Sequence, residues 1–232
     1  DISALRLYRL NRCPRAWTVA AGVPMYIGLF GSDALIASWE AAFAGPELLR
    51  GTLPLLADLQ GTRNLPWRDE QPGRILHEVH EGPLAKLYLS PKGRYYGSVS
   101  SSALFPFCVA QLWSWTGDRE AVAPLVAPAM RALEWLDKVC LPQGARHFYA
   151  YKTRSRDGLD NQSWKDSSDA IVDEDGKPVK QPVATCEEQA AVFTAKVAMA
   201  DVLDAFGHAR EAKRLFAEAM ELKKRFNDAF WI

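Results

Sequence analysis

The sequence predicts an all-α fold in which helices arrive in three pairs, the first helix of each pair buried all round and the second wet on one side. Three observations carry that prediction. Segments 34–44, 102–116 and 186–206 are apolar around most of their circumference, and a helix of that kind needs neighbours on every side. Each is followed by a short turn (Gly45-Pro46, Gly117-Asp118, Gly207-His208) and then by a segment with a charged face. The connections from a second helix to the next first helix are long instead, 62–101 and 141–185. Such a pattern reads as two concentric layers, inner and outer. Three inner helices cannot close a ring by themselves, so the chain reads as about half of a larger array.

Taken in order, the first pair is ALIASWEAAFA (34–44) and ELLRGTLPLLADLQ (47–60). Gly51 and Pro54 lie where they would break or kink the second helix, and Gly61 ends it. In the second pair, 102–116 places Pro106 near its first turn, where a missing N–H costs nothing. Gly117 closes that helix. Segment 119–140 follows, with Leu125, Met130, Leu133 and Leu136 separated by charged residues. The third pair is the Ala- and Val-rich 186–206 and the amphipathic 209–226. The apolar stripe of the latter runs through Ala212, Leu215, Phe216, Ala219, Leu222 and Phe226. Within the first long connection, 82–99 holds the β-like stretches KLYL and YYGSV around a turn at Pro91 to Gly93.

Composition bounds the function classes. The 232 residues are 48% hydrophobic and 24% charged with zero formal net charge, which suits a globular domain with a sizeable core. Neutral balance speaks against a nucleic-acid or anionic-membrane binder. Of the four Cys (Cys13, Cys108, Cys140, Cys186) no two form a C-x-x-C pair, so no zinc site is expected. Cys108 and Cys140 read as reduced core thiols, as in a cytoplasmic protein. No signal or membrane-spanning run is present within the sequence. His77 and His80 at i, i+3 lack a third ligand nearby, so no metal is expected. No cofactor is expected either, because G-x-S-x-G, P-loop and G-x-G-x-x-G motifs are all missing.

Both long connections start and end at the same end of the helix array, so they build one face. They carry Trp67-Arg68-Asp69-Glu70 and the run NQSWKDSSDAIVDEDG (161–176). The eight Trp are either core residues or flat platforms in a cleft. Asp166 is the leading candidate for a general acid, with Trp164 as the apolar surround that would raise its pKa. A surface Asp in a turn is the plainer alternative. Asn161, Gln162 and Ser163 could position hydroxyls. Asp169, Asp173, Glu174 and Asp175 read as solvated loop charges, with Asp175-Gly176 as a hairpin turn. Asp33 reads as a helix cap that also points into the face. Glu187 and Glu188 suit the positive end of the third inner helix, with Gln189 beside them.

At these residues the chain resembles the amylo-α-1,6-glucosidase or glycogen-debranching-like glycoside hydrolases, which are built on an (α/α)6 barrel. The likeness rests on AAGVPMYIGLFGSD (20–33), LADLQGTRNLPWRDEQPGRILHEVHEG (56–82), YYGSVSSSALF (95–105), WTGD (115–118), ALEWLD (132–137), GLDNQSWKDSSDAIV (158–172) and CEEQAAVFTAK (186–196). The resemblance implies half of such a barrel. It implies hydrolysis of α-glucosidic, notably α-1,6, linkages in glycogen-like or oligosaccharide substrates, with inversion. Asp166 would be the general acid, and the general base a Glu in the second half of the barrel, beyond Ile232. Asp33, Trp67, Arg68, Glu78, Tyr96, Trp164, Lys165 and Gln189 carry over as substrate-binding candidates. Two positions depart from the family pattern. Ser32 stands where Arg is usual and Ser100 where Asp is usual, and both usual residues look like sugar-hydroxyl ligands. Those replacements keep open a second reading, a non-catalytic glycan-binding or scaffold protein on the same fold. A helical solenoid module would explain the paired helices but not two Trp- and acid-bearing loops on one face.

Overall fold

The computed structural model describes residues 5–8, 16–22, 27–80, 83, 87, 89–140 and 148–231. Among them are six α-helices: α1 (Gly31–Glu40), α2 (Glu47–Asp58), α3 (Ser100–Thr116), α4 (Arg119–Trp135), α5 (Cys186–Ala205) and α6 (Ala209–Phe230). A 3-10 turn, Ala41–Phe43, extends α1, and a π-helical turn, Leu136–Cys140, extends α4. Strand content is small. β1 (Leu5–Tyr8) pairs antiparallel with β2 (Ala16–Val19), and β3 (Leu29–Phe30) with β4 (Glu78–Val79). The chain is therefore mostly helical, as its patterning predicts. Of the two β-like stretches, KLYL includes Lys86 and Tyr88, which lie outside the described residues. YYGSV forms only a single bridge, Tyr95 to Glu78.

Helix contacts pair the elements as expected from the patterning, but only α3 is buried around its circumference; α1 keeps Asp33 and Trp39 exposed, and α5 keeps Ala190, Thr194 and Asp201 exposed. α3 lies between α1 and α5, while α2, α4 and α6 pack on α1, α3 and α5 respectively. The burial patterns explain the division. α3 buries residues around its circumference, among them Ser101, Ala103, Phe105, Cys108, Val109 and Leu112. α6 buries only the stripe Ala212, Leu215, Ala219 and Leu222. Phe216 stands outside that stripe and is half exposed, and Phe226 stacks on Phe230 instead, ring centroids 4.8 Å apart.

Proline placement departs from expectation. α3 begins at Ser100, two residues before the apolar run, so Pro106 lies inside the helix rather than in its first turn. α2 likewise runs through Pro54 without ending. An interior Pro costs about 3 kcal/mol in an isolated helix, and burial of Leu53, Leu55, Leu56, Phe105 and Val109 around these two outweighs it. Gly51 has a packing reason: a Cβ there would come within 1.8 Å of the Trp17 carbonyl oxygen, because β2 crosses α2 at that point. Gly117 ends α3 in the left-handed conformation (φ 60), and Asp118 caps α4 by accepting from the Ala121 N–H at 3.0 Å. The Asp175-Gly176 turn closes a small hairpin in which Val172 bridges Pro178.

Candidate functional face at the inner-helix N-termini

The N-terminal turns of α1, α3 and α5 meet. The hydroxyl oxygen of Ser32, second residue of α1, is 2.9 Å from that of Ser101, second residue of α3. Ser100, first residue of α3, donates its hydroxyl to Oε1 of Glu188, third residue of α5. Gly31 allows the approach from the other side. Its N–H donates to the His77 carbonyl at 2.7 Å, and a Cβ there would stand 2.1 Å from the Leu76 carbonyl oxygen. The residue at the cap position of each of the three helices gives no side-chain hydrogen bond, although the Ser98 hydroxyl accepts from the Ser101 N–H at 3.1 Å. The positive dipole ends of the three helices converge on one face.

The two long connections cover this face together, and Asp69 is the pin between them. Asp69 is fully buried. Its Oδ2 accepts from the Tyr95 hydroxyl at 3.0 Å and from Gln162 Nε2 at 3.1 Å, and its Oδ1 accepts from the Arg154 N–H at 2.8 Å. Arg74, also buried, donates to the Asp69 carbonyl at 2.9 Å and to Gln162 Oε1 at 2.5 Å, and lies over the Trp135 ring at 4.7 Å. Burial pushes the Arg74 pKa down, and Asp69 opposes that effect. Burial and the Asp69 charge push the Tyr95 phenol well above its ordinary range. The acids of the W-R-D-E run are thus internal: Glu70 accepts from Arg68 at 2.9 Å and from the Thr62 and Arg63 N–H groups at 3.2 Å.

Beside the N-terminus of α1 lies a cluster of ionisable groups. Glu78, buried in β4, receives His80 Nε2 at 2.6 Å and Lys92 Nζ at 3.2 Å, with His77 Nε2 at 4.0 Å. His77 Nε2 is also 3.8 Å from Oδ2 of Asp166, whose side chain is 47% exposed. Burial pushes the His77 pKa down, the Glu78 and Asp166 charges push it back up, and Lys92 and Arg74 reinforce the drop. A neutral ring with its proton on Nε2, toward the two carboxylates, fits these surroundings. Asp33 occupies the third position of α1. Its pKa is raised by loss of hydration, its own backbone N–H opposes the rise, and the Asp166 charge adds to it. Asp33 is not the cap expected of it: Phe30 holds the cap position, and Asp33 makes no capping bond.

The substrate-binding candidates divide into those on the face and those absorbed by the scaffold. Tyr96 is fully buried and donates to the Leu59 carbonyl at 2.8 Å, and burial raises its pKa to about 12. Gln189 is buried with its amide spent on the Tyr149 backbone N–H and carbonyl and on the Thr185 carbonyl. Arg68 pairs with Glu70, and Glu78 with His80 and Lys92. These four hold the loops and leave little for a ligand. Trp67, in the 3-10 turn Pro66–Arg68, is partly buried, and its carbonyl accepts from Ser155. Trp164 is 50% exposed and Lys165 is exposed, both beside Asp166. Trp164 therefore does not bury Asp166 in an apolar surround; it presents its own ring to solvent.

Sequence reading missed two groups here. One is the hydroxyl cluster of Ser32, Ser98 and Ser101, all buried, with Ser98 to Ser101 at 3.2 Å. The other is Glu188, 2% exposed. Burial raises its pKa to about 7, Glu187 adds to the rise, and the Ser100 hydroxyl and the Trp164 backbone N–H oppose it. A carboxyl in a helix N-terminal turn whose neighbours in space come from two other segments carries no local sequence signal. The sequence offers His77 only as a metal-ligand candidate, through its i, i+3 spacing to His80. Among the described residues no three His, Cys, Asp or Glu side chains converge on a metal position, and no helix is long and apolar enough to cross a membrane. Compared with protein-family models and with curated proteins, the chain has no match.

Proposed function

We propose that the chain is the first half of an (α/α)6 barrel glycoside hydrolase acting on α-glucosidic linkages, with Asp166 as general acid. The observation that supports this most is the setting of Asp166. It is a half-exposed carboxyl at the converging N-termini of three inner helices, 3.8 Å from His77, close enough to Asp33 for mutual repulsion, and next to the exposed Trp164. A pyranose ring laid on Trp164 would bring its glycosidic oxygen to Asp166 and its hydroxyls to Asp33 and Lys165. In an inverting reaction Asp166 protonates the leaving oxygen while a second carboxylate, roughly 6.5–9.5 Å away, activates water on the opposite side of the sugar. That second carboxylate belongs, in this reading, to the other half of the barrel. Exposed rings on the inner layer agree with a missing half: Trp39 is 38%, Trp115 53% and Phe43 80% exposed.

Ser32 and Ser100, which stand where the resembled family has sugar ligands, are taken up by Ser101 and Glu188, and this favours the second reading, a glycan binder without turnover. One experiment separates the two. The chain extended through the second half of the barrel and its Asp166→Asn variant are incubated with α-1,6- and α-1,4-linked glucosyl oligosaccharides, and anomeric protons are followed by NMR. Release of β-glucose that disappears in the variant supports the hydrolase. Shifted sugar signals without release would replace it with the binder, and neither release nor shifts would overturn both.

A further inference from the structure

A cavity of about 280 Å3 lies where the π-helical turn after α4 meets the second long connection, at the lower edge of the size of small-molecule sites. Buried Val99, Trp135 and Cys140 form its inner wall, and exposed Val139 and Lys152 stand at its mouth. Its charge is one-sided. Arg74, Lys152 and Arg154 line it, and no Asp or Glu does so among the described residues. Arg74 is 2% exposed, yet its two hydrogen bonds go to neutral acceptors, the Asp69 carbonyl and the Gln162 amide oxygen. The nearest carboxylate oxygen, Asp69 Oδ1, is 4.0 Å away and already accepts from the Arg154 N–H. Nε of Arg74 is buried without a partner. The Arg154 guanidinium reaches only the Asn64 amide oxygen at 2.6 Å and the Glu70 carbonyl at 3.4 Å, and its charge repels Arg74. Lys152 makes no ion pair among the described residues. The wider cavity of about 750 Å3 between α4 and α6 differs in this respect, because each cation lining it is paired with a carboxylate.

We infer that this cavity is a binding site for a small organic carboxylate with a flat apolar body. Its carboxylate meets Lys152 and Arg154, the Arg74 charge in the wall attracts it, and its body lies against Val99, Val139 and Trp135. The reasoning is electrostatic first. A buried cation without a close counter-charge is costly, and an anion in the cavity supplies the charge that the lining lacks. The guanidinium of Arg154 offers a planar fork of donors that matches a carboxylate. The walls then select the body. An apolar surface gives nothing back to a strongly hydrated inorganic ion for the water it sheds, and it leaves the hydroxyls of a sugar unpaired. A flat hydrocarbon body loses no hydrogen bonds there and covers apolar area. The site goes beyond the sugar reading of Asp166 and does not rest on it.

The test needs no sugar, so it succeeds or fails independently of that reading. The full-length protein is titrated into para-fluorobenzoate, and the probe is followed by fluorine NMR. The expected result is saturable broadening of the probe signal that benzoate reverses and that neither benzamide nor inorganic phosphate reverses. Lys152→Gln, at an exposed side chain, is expected to weaken binding by up to about fivefold through the loss of one charge. Val139→Trp, at the half-exposed mouth, is expected to block the cavity and abolish the signal. No saturable broadening at millimolar probe would overturn the proposal. So would displacement by benzamide, which would remove the role of charge, or by phosphate, which would remove the role of the apolar body. Binding that is unchanged in both variants would place the probe elsewhere on the protein and overturn it as well. Should Val139→Trp not fold, the competition by benzamide and phosphate together with Lys152→Gln still decides it.

Discussion

Nε2 of His77 stands 3.8 Å from Oδ2 of Asp166, so a buried ring from the first long connection meets a half-exposed carboxylate from the second. The pair has a measurable consequence. The Asp166 charge works against the burial that pushes the His77 pKa down. Replacing Asp166 by Asn removes that support and lowers the His77 pKa further. Long-range 1H–15N spectra of the imidazole would read it. An unchanged His77 titration in Asp166→Asn would mean that the two side chains do not face each other.

Glu188 links to stability with a definite sign. Its folded pKa of about 7 lies above the ordinary 4.5, so between those values the folded chain binds the proton that the unfolded chain releases. Stability therefore falls as pH rises from 4.5 to 7 and stays lower above that window. The full shift corresponds to about 3 kcal/mol, an upper value. Glu188→Gln, which keeps an acceptor for Ser100 but carries no charge, is expected to gain on the wild type as pH rises from 5 to 8. Denaturant midpoints at the two pH values test this, and a difference between the proteins that does not change with pH would refute it.

Asp69 is the position where the second long connection is most vulnerable. Asp69→Ala strands Arg74 without its nearby carboxylate and removes the acceptor shared by Tyr95, Gln162 and Arg154. Breaking a buried charged network in this way costs about 3–5 kcal/mol. The loss is expected to appear first as proteolytic cleavage between 152 and 181, where Arg154 and Gln162 were held, ahead of global unfolding. Cleavage rates no different from the wild type would show that the connection is held by other contacts.

The parts legible in the sequence are those with a local period. α2, α5 and α6 start and stop within a few residues of their apolar patterns, and Gly117 and Asp118 mark the end of α3 and the start of α4 as their chemistry suggests. The face was legible too, since two long connections that share one end of an array must meet. The partners within it were not. Arg74 and Gln162 are 88 positions apart, as are Ser100 and Glu188, and Asp69 and Gln162 are 93 apart. No periodicity or motif spacing records such pairs, so Arg68, Glu78, Tyr96 and Gln189 looked equally free to bind a ligand. Pro106 lies inside α3 rather than in its first turn for a related reason, because Ser100 and Ser101 before the apolar run already belong to the helix.

The two serines that depart from the pattern of the glycoside hydrolases the sequence resembles also do not behave alike, and this sets the last prediction. Ser32 is buried among Ser98 and Ser101, so Ser32→Arg would force a long cation into a packed hydroxyl cluster and destabilise the fold outright. Ser100 faces Glu188. Ser100→Asp alone would set two carboxyls side by side in a buried site, where one must stay protonated or the fold must open. We expect a loss of roughly 2–4 kcal/mol at pH 8, smaller at pH 5 where one proton is easily held. Adding Glu188→Gln turns the acid pair into an amide facing a carboxylate, so the double variant should recover most of the loss. Denaturant unfolding of the four proteins gives the coupling directly. Additive effects of Ser100→Asp and Glu188→Gln would mean that these side chains act separately. A large favourable coupling would mean that a carboxylate at 100 is tolerated only where 188 carries none, so that Glu188 holds the single acid this part of the face can accommodate.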